Sequence, residues 1–311
     1  MKEKEGSIFT NSYVLMALAL ISCFLWGSAF PSVKSGYKLF SIGPDATYEK
    51  IVFAGYRFFL SSMMIFGFCL VTGRSLKLKR AHVRKVVSLG VMQTSIQYVF
   101  FYIGLSNTSG TLGSILSASS TFFTVLLAHF FFSQDKLTHK RIAGAVLGFI
   151  GVITANMTGT GLGTDFTLTG EGFIIISSLV GAFAGFYTKK ISKDISPFAI
   201  SGYQLFFGSL LLISFGWLGG GRSITFTPMG ILLLLYLGFI SAAAFTLWSI
   251  LLRHNGVGRV SIYKFTIPLF GTLLSYIILK ERFLGANIIA AAILVSLGIL
   301  LINKGESITH D

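Results

Sequence analysis

Negative charge is what this 311-residue chain has least of. Eleven Asp and Glu stand against twenty-five Lys and Arg, and both signs together make up only 12% of the residues. Water-soluble domains carry about twice that share of charge, so a soluble globular surface is excluded. Cysteine is nearly absent too. Cys23 and Cys69 fall inside apolar runs with no metal-ligand spacing, which excludes a disulfide scaffold or a thiolate metal site and leaves packing. There is no His-Glu-x-x-His run, no pair of carboxylates within an apolar run and no Gly-x-Ser-x-Gly elbow, so intramembrane catalysis lacks an evident acid, base or metal. No nucleotide-binding loop exists, so ATP is not the direct energy source. We therefore expect no enzyme, no cofactor and no metal.

What is abundant is apolar length. Hydrophobic residues make up 53% of the chain and the mean hydropathy is +0.77, values that place it in a bilayer. The apolar windows are Tyr13–Pro31, Ile51–Thr72, Val86–Leu105, Thr111–Phe132, Ile142–Met157, Gly172–Tyr187, Phe198–Leu218, Gly230–Leu251, Ser261–Leu279 and Leu284–Ile302. Backbone groups in lipid must be satisfied within their own segment, so these are helices, and the fold class is an all-α integral membrane protein of ten transmembrane helices. The fifth and sixth windows are short and are kept because the internal repeat requires them. Tyr13–Pro31 is too long for a cleaved leader and no small-residue cleavage pattern follows it.

The basic excess is distributed, not general. With the N-terminus inside, seventeen Lys and Arg fall in cytoplasmic segments and six in outer ones. That bias predicts a cell-membrane protein with both termini cytoplasmic. The cluster Arg74–Lys85 is its strongest determinant and is expected to lie against anionic lipid headgroups, which makes lipid and not nucleic acid the partner.

The second half of the chain is a shifted copy of the first. A slide of 147 positions lays Gly55-Tyr56-Arg57-Phe58-Phe59 on Gly202-Tyr203-Gln204-Leu205-Phe206, and Tyr102–Asn156 on Ser249–Asn303 without a gap. Five spans per copy is an odd number, so the second copy sits upside down in the bilayer. Inverted repeats of this kind build a site at their interface that opens to each face in turn, which points to transport. The expected division is 1–157 for the first repeat, 158–170 for a Gly- and Thr-rich linker and 171–311 for the second. Small residues at four-residue spacing, Gly144 with Gly148 and Gly181 with Gly185, serve close helix packing within a monomer.

Leu25-Trp26-Gly27-Ser28-Ala29-Phe30, Tyr56-Arg57-Phe58-Phe59, Gly104-Leu105-Ser106-Asn107-Thr108-Ser109 and Lys264-Phe265-Thr266-Ile267-Pro268-Leu269-Phe270, running on to Leu279-Lys280-Glu281-Arg282, carry a family resemblance. Together they resemble the EamA-type transporters of the drug/metabolite transporter superfamily over essentially the whole chain. The resemblance implies two inverted five-helix repeats and the export or exchange of small metabolites, with amino acids, sugar phosphates and small cationic drugs all among the superfamily's substrates. Two departures matter. Thr121 stands where the first repeat of the family has a proline, and the first helix lacks the glutamate that small multidrug relatives use for protons and cations.

Ionisable residues inside the windows are Arg57, Lys264 and His129. A charge placed at a bilayer centre costs about 2.5–3.5 kcal/mol, so each is a candidate site residue. Lys264 lies four residues before Pro268, whose missing N–H frees the carbonyl of residue 264; the alternative is that Lys264 snorkels to the cytoplasmic headgroups. Arg57 is suited to gripping a carboxylate or phosphate, or else pairs with an acidic neighbour such as Glu49 or with backbone carbonyls. His129 packs or titrates. The expected substrate-binding set is Lys264, Arg57, its repeat counterpart Gln204, Trp26, Tyr98, Gln97 and Trp248, with Pro268 and Pro31 as hinges. The expected partner is a small zwitterionic or anionic amphiphile, amino acids first, with sugar phosphates or nucleotide sugars as the alternative.

Overall fold

The computed structural model describes residues 8–131, 138–154, 166–221 and 224–280, with positions 290, 293, 294, 297, 298 and 301. Among them the regular elements are helical: α1 Ser12–Leu39, α2 Thr47–Val71, α3 Arg80–Ser106, α4 Gly110–Ser117, α5 Ser119–Phe131, α6 His139–Thr154, α7 Leu168–Ile191, α8 Pro197–Leu218, α9 Pro228–His254 and α10 Val257–Leu279. Seven of these, α1, α2, α3, α7, α8, α9 and α10, are long and apolar enough to cross a membrane. The chain is a multi-pass membrane protein. The tenth window lies almost wholly outside the described residues, as does most of the linker, so the described residues do not reach the count of ten.

Local chemistry sets the helix starts. The Asn11 side chain accepts from the N–H groups of Tyr13 and Val14 to cap α1, and Thr227 accepts from Gly230 to cap α9 with Pro228 just inside. Lys50, one of the six basic residues expected in outer segments, is instead buried in the first turn of α2. Its ammonium donates to the Pro44 carbonyl and to Ser106 Oγ at 3.1 Å, which ties the start of α2 to the end of α3.

The two halves meet through small residues. α2 packs along α8 in antiparallel sense: a Cβ on Gly55 would sit 2.6 Å from Ile213 Cγ1, one on Gly216 2.5 Å from Val52, and one on Gly202 2.6 Å from the Phe66 ring. The same repeat positions thus run in opposite directions, as inversion requires. α1 lies between α9 and α10. It runs antiparallel to α9, with Phe40 against Phe226 at one end and Phe9 against His254 at the other, and parallel to α10, where a Cβ on Gly27 would meet Phe270 at 2.6 Å. The Gly144/Gly148 face of α6 is used within the monomer, against the Phe265 ring and Gly298.

Several helices depart from α geometry, α7 by a π turn at its start, Leu168–Gly172. α3 contains a π turn at Gly90–Ile96. The fourth window, expected as one helix, is broken at Ala118 into α4 and α5. Ser117 Oγ donates to the Ser114 carbonyl and Ser119 Oγ to that of Leu116, so hydroxyls compete for carbonyls on either side of the break. α10 tightens to a 3-10 turn at Ile262–Phe265. Ahead of Pro268 the helix thus tightens without breaking, and the neighbouring Tyr263 carbonyl accepts from Thr266 Oγ1 at 2.7 Å and from Cys23 Sγ at 3.3 Å. Ala118 and Phe265 are equivalent under the 147-residue shift, so both repeats depart from the α-helix at the same place. Pro31 lies within α1, which continues as α-helix through it.

The close approach of α2 and α8 predicts opposite signs for two glycine substitutions in one helix. Gly55→Ala should destabilise by about 1–3 kcal/mol through overpacking. Gly67→Ala, where a Cβ meets nothing within 4 Å, should stabilise by up to about 1 kcal/mol through helix propensity. Thermal unfolding in detergent checks both.

Candidate functional site

Six of the seven expected binding residues line one central cavity: Trp26, Arg57, Gln97, Tyr98, Trp248 and Lys264. Its walls come from α1, α2 and α3, from the α4/α5 break, and from α7, α9 and α10, so both repeats contribute. The enclosed space is about 110 Å³, against roughly 10–15 Å³ for one water.

Lys264 enters from the 3-10 turn of α10. Its ammonium lies 5.1 Å from the Trp248 ring centre and 5.9 Å from that of Trp26, and the two indoles meet edge-on at 5.0 Å. Indole faces attract a cation through their quadrupole, each contact being worth about 0.5–2 kcal/mol. Among the described residues the ammonium has no hydrogen-bond acceptor and no carboxylate lines the cavity. Lys264 thus extends over the rings at the cavity.

Arg57 is only 1% exposed. Its Nε donates to Ser241 Oγ at 2.9 Å and Nη1 to the Tyr102 hydroxyl at 3.1 Å, with the guanidinium 5.1 Å from the Phe58 ring. The expected alternatives of Glu49 or backbone carbonyls give way to neutral hydroxyls. The second amino group, Nη2, makes no hydrogen bond to the described residues, and Arg57 borders the cavity. Tyr98 packs on Phe58 in a tilted contact with ring centres 4.3 Å apart and meets Phe245 edge-on at 6.4 Å.

Gln97 follows the π turn of α3 and Gln93 lies within it; both border the cavity and their amide oxygens have no partner among the described residues. A Cβ on Gly181 would touch the Gln97 amide at 3.0 Å, so this glycine of α7 gives the amide room, while Gly185 opens on space. Gln204 is the exception. It is buried in α8 where that helix packs on α2 and on the π turn of α3, both its amide atoms lack partners, and it does not line the cavity. The pseudo-twofold brings α2 and α8 face to face without giving the two helices the same rotation toward the centre. The His129 side chain lies outside the described residues. Ser117, Ser120, Ser177 and Ser178 also line the cavity and went unread in the sequence; a lone serine in an apolar helix carries little signal, because its hydroxyl can satisfy itself on a nearby carbonyl.

Trp26 and Trp248 are two of three tryptophans, and the third, Trp217, lies near the end of α8. In a Trp217→Phe protein, iodide should quench the emission more than caesium does, each normalised to free tryptophanamide, because the accessible cavity is electropositive. Lys264→Gln should reduce the difference. Equal quenching by the two ions would contradict an accessible cation between the indoles.

The EamA-like transporter family matches residues 14–157 and 168–304, one match per repeat. The uncharacterized transporter YetK of Bacillus subtilis is 30% identical over 78% of this chain and 75% of its own length. An S-adenosylmethionine/S-adenosylhomocysteine transporter of Chlamydia muridarum is 24% identical over 96% of this chain and 95% of its own. A probable amino-acid metabolite efflux pump of Escherichia coli is 23% identical over 90% and 91%. A solved crystal structure superposes with a TM-score of 0.75 at 14% identity, covering 96% of this chain and 99% of the other, a likeness of fold. With both halves of the inverted architecture matched separately, the chain belongs to the EamA-like transporter family.

Proposed function

We propose that this protein is a secondary transporter of the cell membrane that exports or exchanges small carboxylate-bearing metabolites, amino acids and related amphiphiles first among them. In this reading both termini are cytoplasmic, ten helices form two inverted repeats, and the central cavity opens alternately to each side. One observation carries it: the Lys264 ammonium reaches a cavity between the repeats, rests on Trp26 and Trp248, and has no acceptor among the described residues. A carboxylate supplies the missing acceptor, and the indoles and Tyr98 supply an apolar wall for the rest of the molecule. Arg57 and Gln97, which line the same space, assist. Two relatives are named as an S-adenosylmethionine/S-adenosylhomocysteine transporter and a probable amino-acid metabolite efflux pump, which supports substrates of the amino-acid kind.

The same two cations would also suit a phosphate. A sugar phosphate or a nucleotide sugar would place its phosphate against Lys264 and Arg57 in the same way.

The test is counterflow in liposomes loaded with unlabelled substrate, screening labelled amino acids, 2-oxo acids and sugar phosphates. For the substrate found, Lys264→Gln should abolish exchange while folding stays near wild type, and Lys264→Arg should keep part of it, since the charge stays and its geometry changes. Exchange at the wild-type rate in Lys264→Gln would defeat the binding role.

A further inference from the structure

From the charge balance of the cavity we infer that the transported species carries net negative charge: a carboxylate whose amine is absent or blocked is preferred over the corresponding zwitterion. The inference rests on the transport reading above and narrows its substrate class.

Two fixed cations border the cavity, and neither has an anionic partner among the described residues. Arg57 is held by the neutral hydroxyls of Ser241 and Tyr102 and lies over the Phe58 ring, and Lys264 lies over ring faces. The described acidic side chains lie elsewhere. Asp45 and Glu49 stand at the start of α2, Glu171 in the first turn of α7 and Asp194 just beyond its end. Among the described residues, none at the cavity offers a formal negative charge to a substrate ammonium. The indole faces that most readily receive a cation already hold Lys264.

A zwitterion would therefore place a third cation beside two unpaired ones. Its ammonium would have only neutral acceptors, the amide oxygens of Gln93 and Gln97 among them. An anion places its charge against Lys264 and the unused Nη2 of Arg57 and adds no repulsion. Like charges several ångströms apart in a protein interior repel strongly enough to give a preference of about tenfold or more.

The experiment uses three molecules with one side chain and three charges: N-acetyl-leucine, leucine and leucinamide, the last at a pH where its amine is protonated. Each competes in wild-type liposomes against counterflow of the labelled substrate found in the screen. The expected order of inhibition is N-acetyl-leucine over leucine by about tenfold, with leucinamide weakest. In Lys264→Gln, read by binding to the purified protein, the gap between the first two should shrink. Leucine competing as well as or better than its N-acetyl derivative would overturn the inference and leave the transport reading standing, with Gln93 and Gln97 as ammonium acceptors. An unchanged gap in Lys264→Gln would overturn the part given to Lys264. A screen in which no carboxylate or phosphate exchanges would remove the transport reading, and the inference with it.

Discussion

An ammonium taken out of water must find compensation, since its desolvation costs several kcal/mol even after the surroundings relax. At Lys264 two indole rings give part of that compensation, about 1–4 kcal/mol for the pair, and no carboxylate among the described residues gives the rest. The remaining deficit can be met by water or by an incoming anion. A site that is under-compensated without its ligand binds that ligand with electrostatics the fold has already arranged. The rest of the architecture serves this arrangement: α10 departs from α geometry at Lys264, α1 and α9 bring the indoles, and α2 holds Arg57 by neutral bonds that leave its charge unspent.

Both repeats depart from the α-helix at equivalent positions, Ala118 and Phe265, one residue after the equivalent cavity-lining positions Ser117 and Lys264. Interrupted helices at matching places in inverted halves are how transporters expose backbone and side chains at the midplane. Here the two interruptions have different chemistry. In α10 a proline follows the 3-10 turn; between α4 and α5 a run of serines takes carbonyls that the helix would otherwise use. The symmetry is thus in position and shape, while the charge sits on one side only.

Much of this was legible in the sequence because lipid simplifies the problem. Apolar length marked the seven helices long enough to cross a membrane, the 147-residue shift gave the two repeats, and the cost of burying charge singled out Arg57 and Lys264. Trp26, Gln97, Tyr98 and Trp248 followed as amphipathic groups at depth. Gln204 was misjudged because a repeat relation fixes which helix a residue is on but not the rotation of that helix once glycines such as Gly55 and Gly216 let the two pack closely. The π turn that offsets Gln93 and Gln97 left no pattern, since Gly90–Ile96 reads as ordinary helix. The break at Ala118 had one trace, Thr121 at the place of Pro268, which pointed the wrong way: the proline was missing and the break remained.

The central claim is that one cavity, bordered by both repeats, receives substrate from each side in turn. It is tested most directly by a single cysteine at Ser120, which lines that cavity, in a protein whose Cys23 and Cys69 are replaced. In oriented vesicles the account predicts that an impermeant anionic thiol reagent modifies the cysteine from either face and that bound substrate slows both reactions. Modification from one face alone, or at a rate substrate does not change, would contradict it.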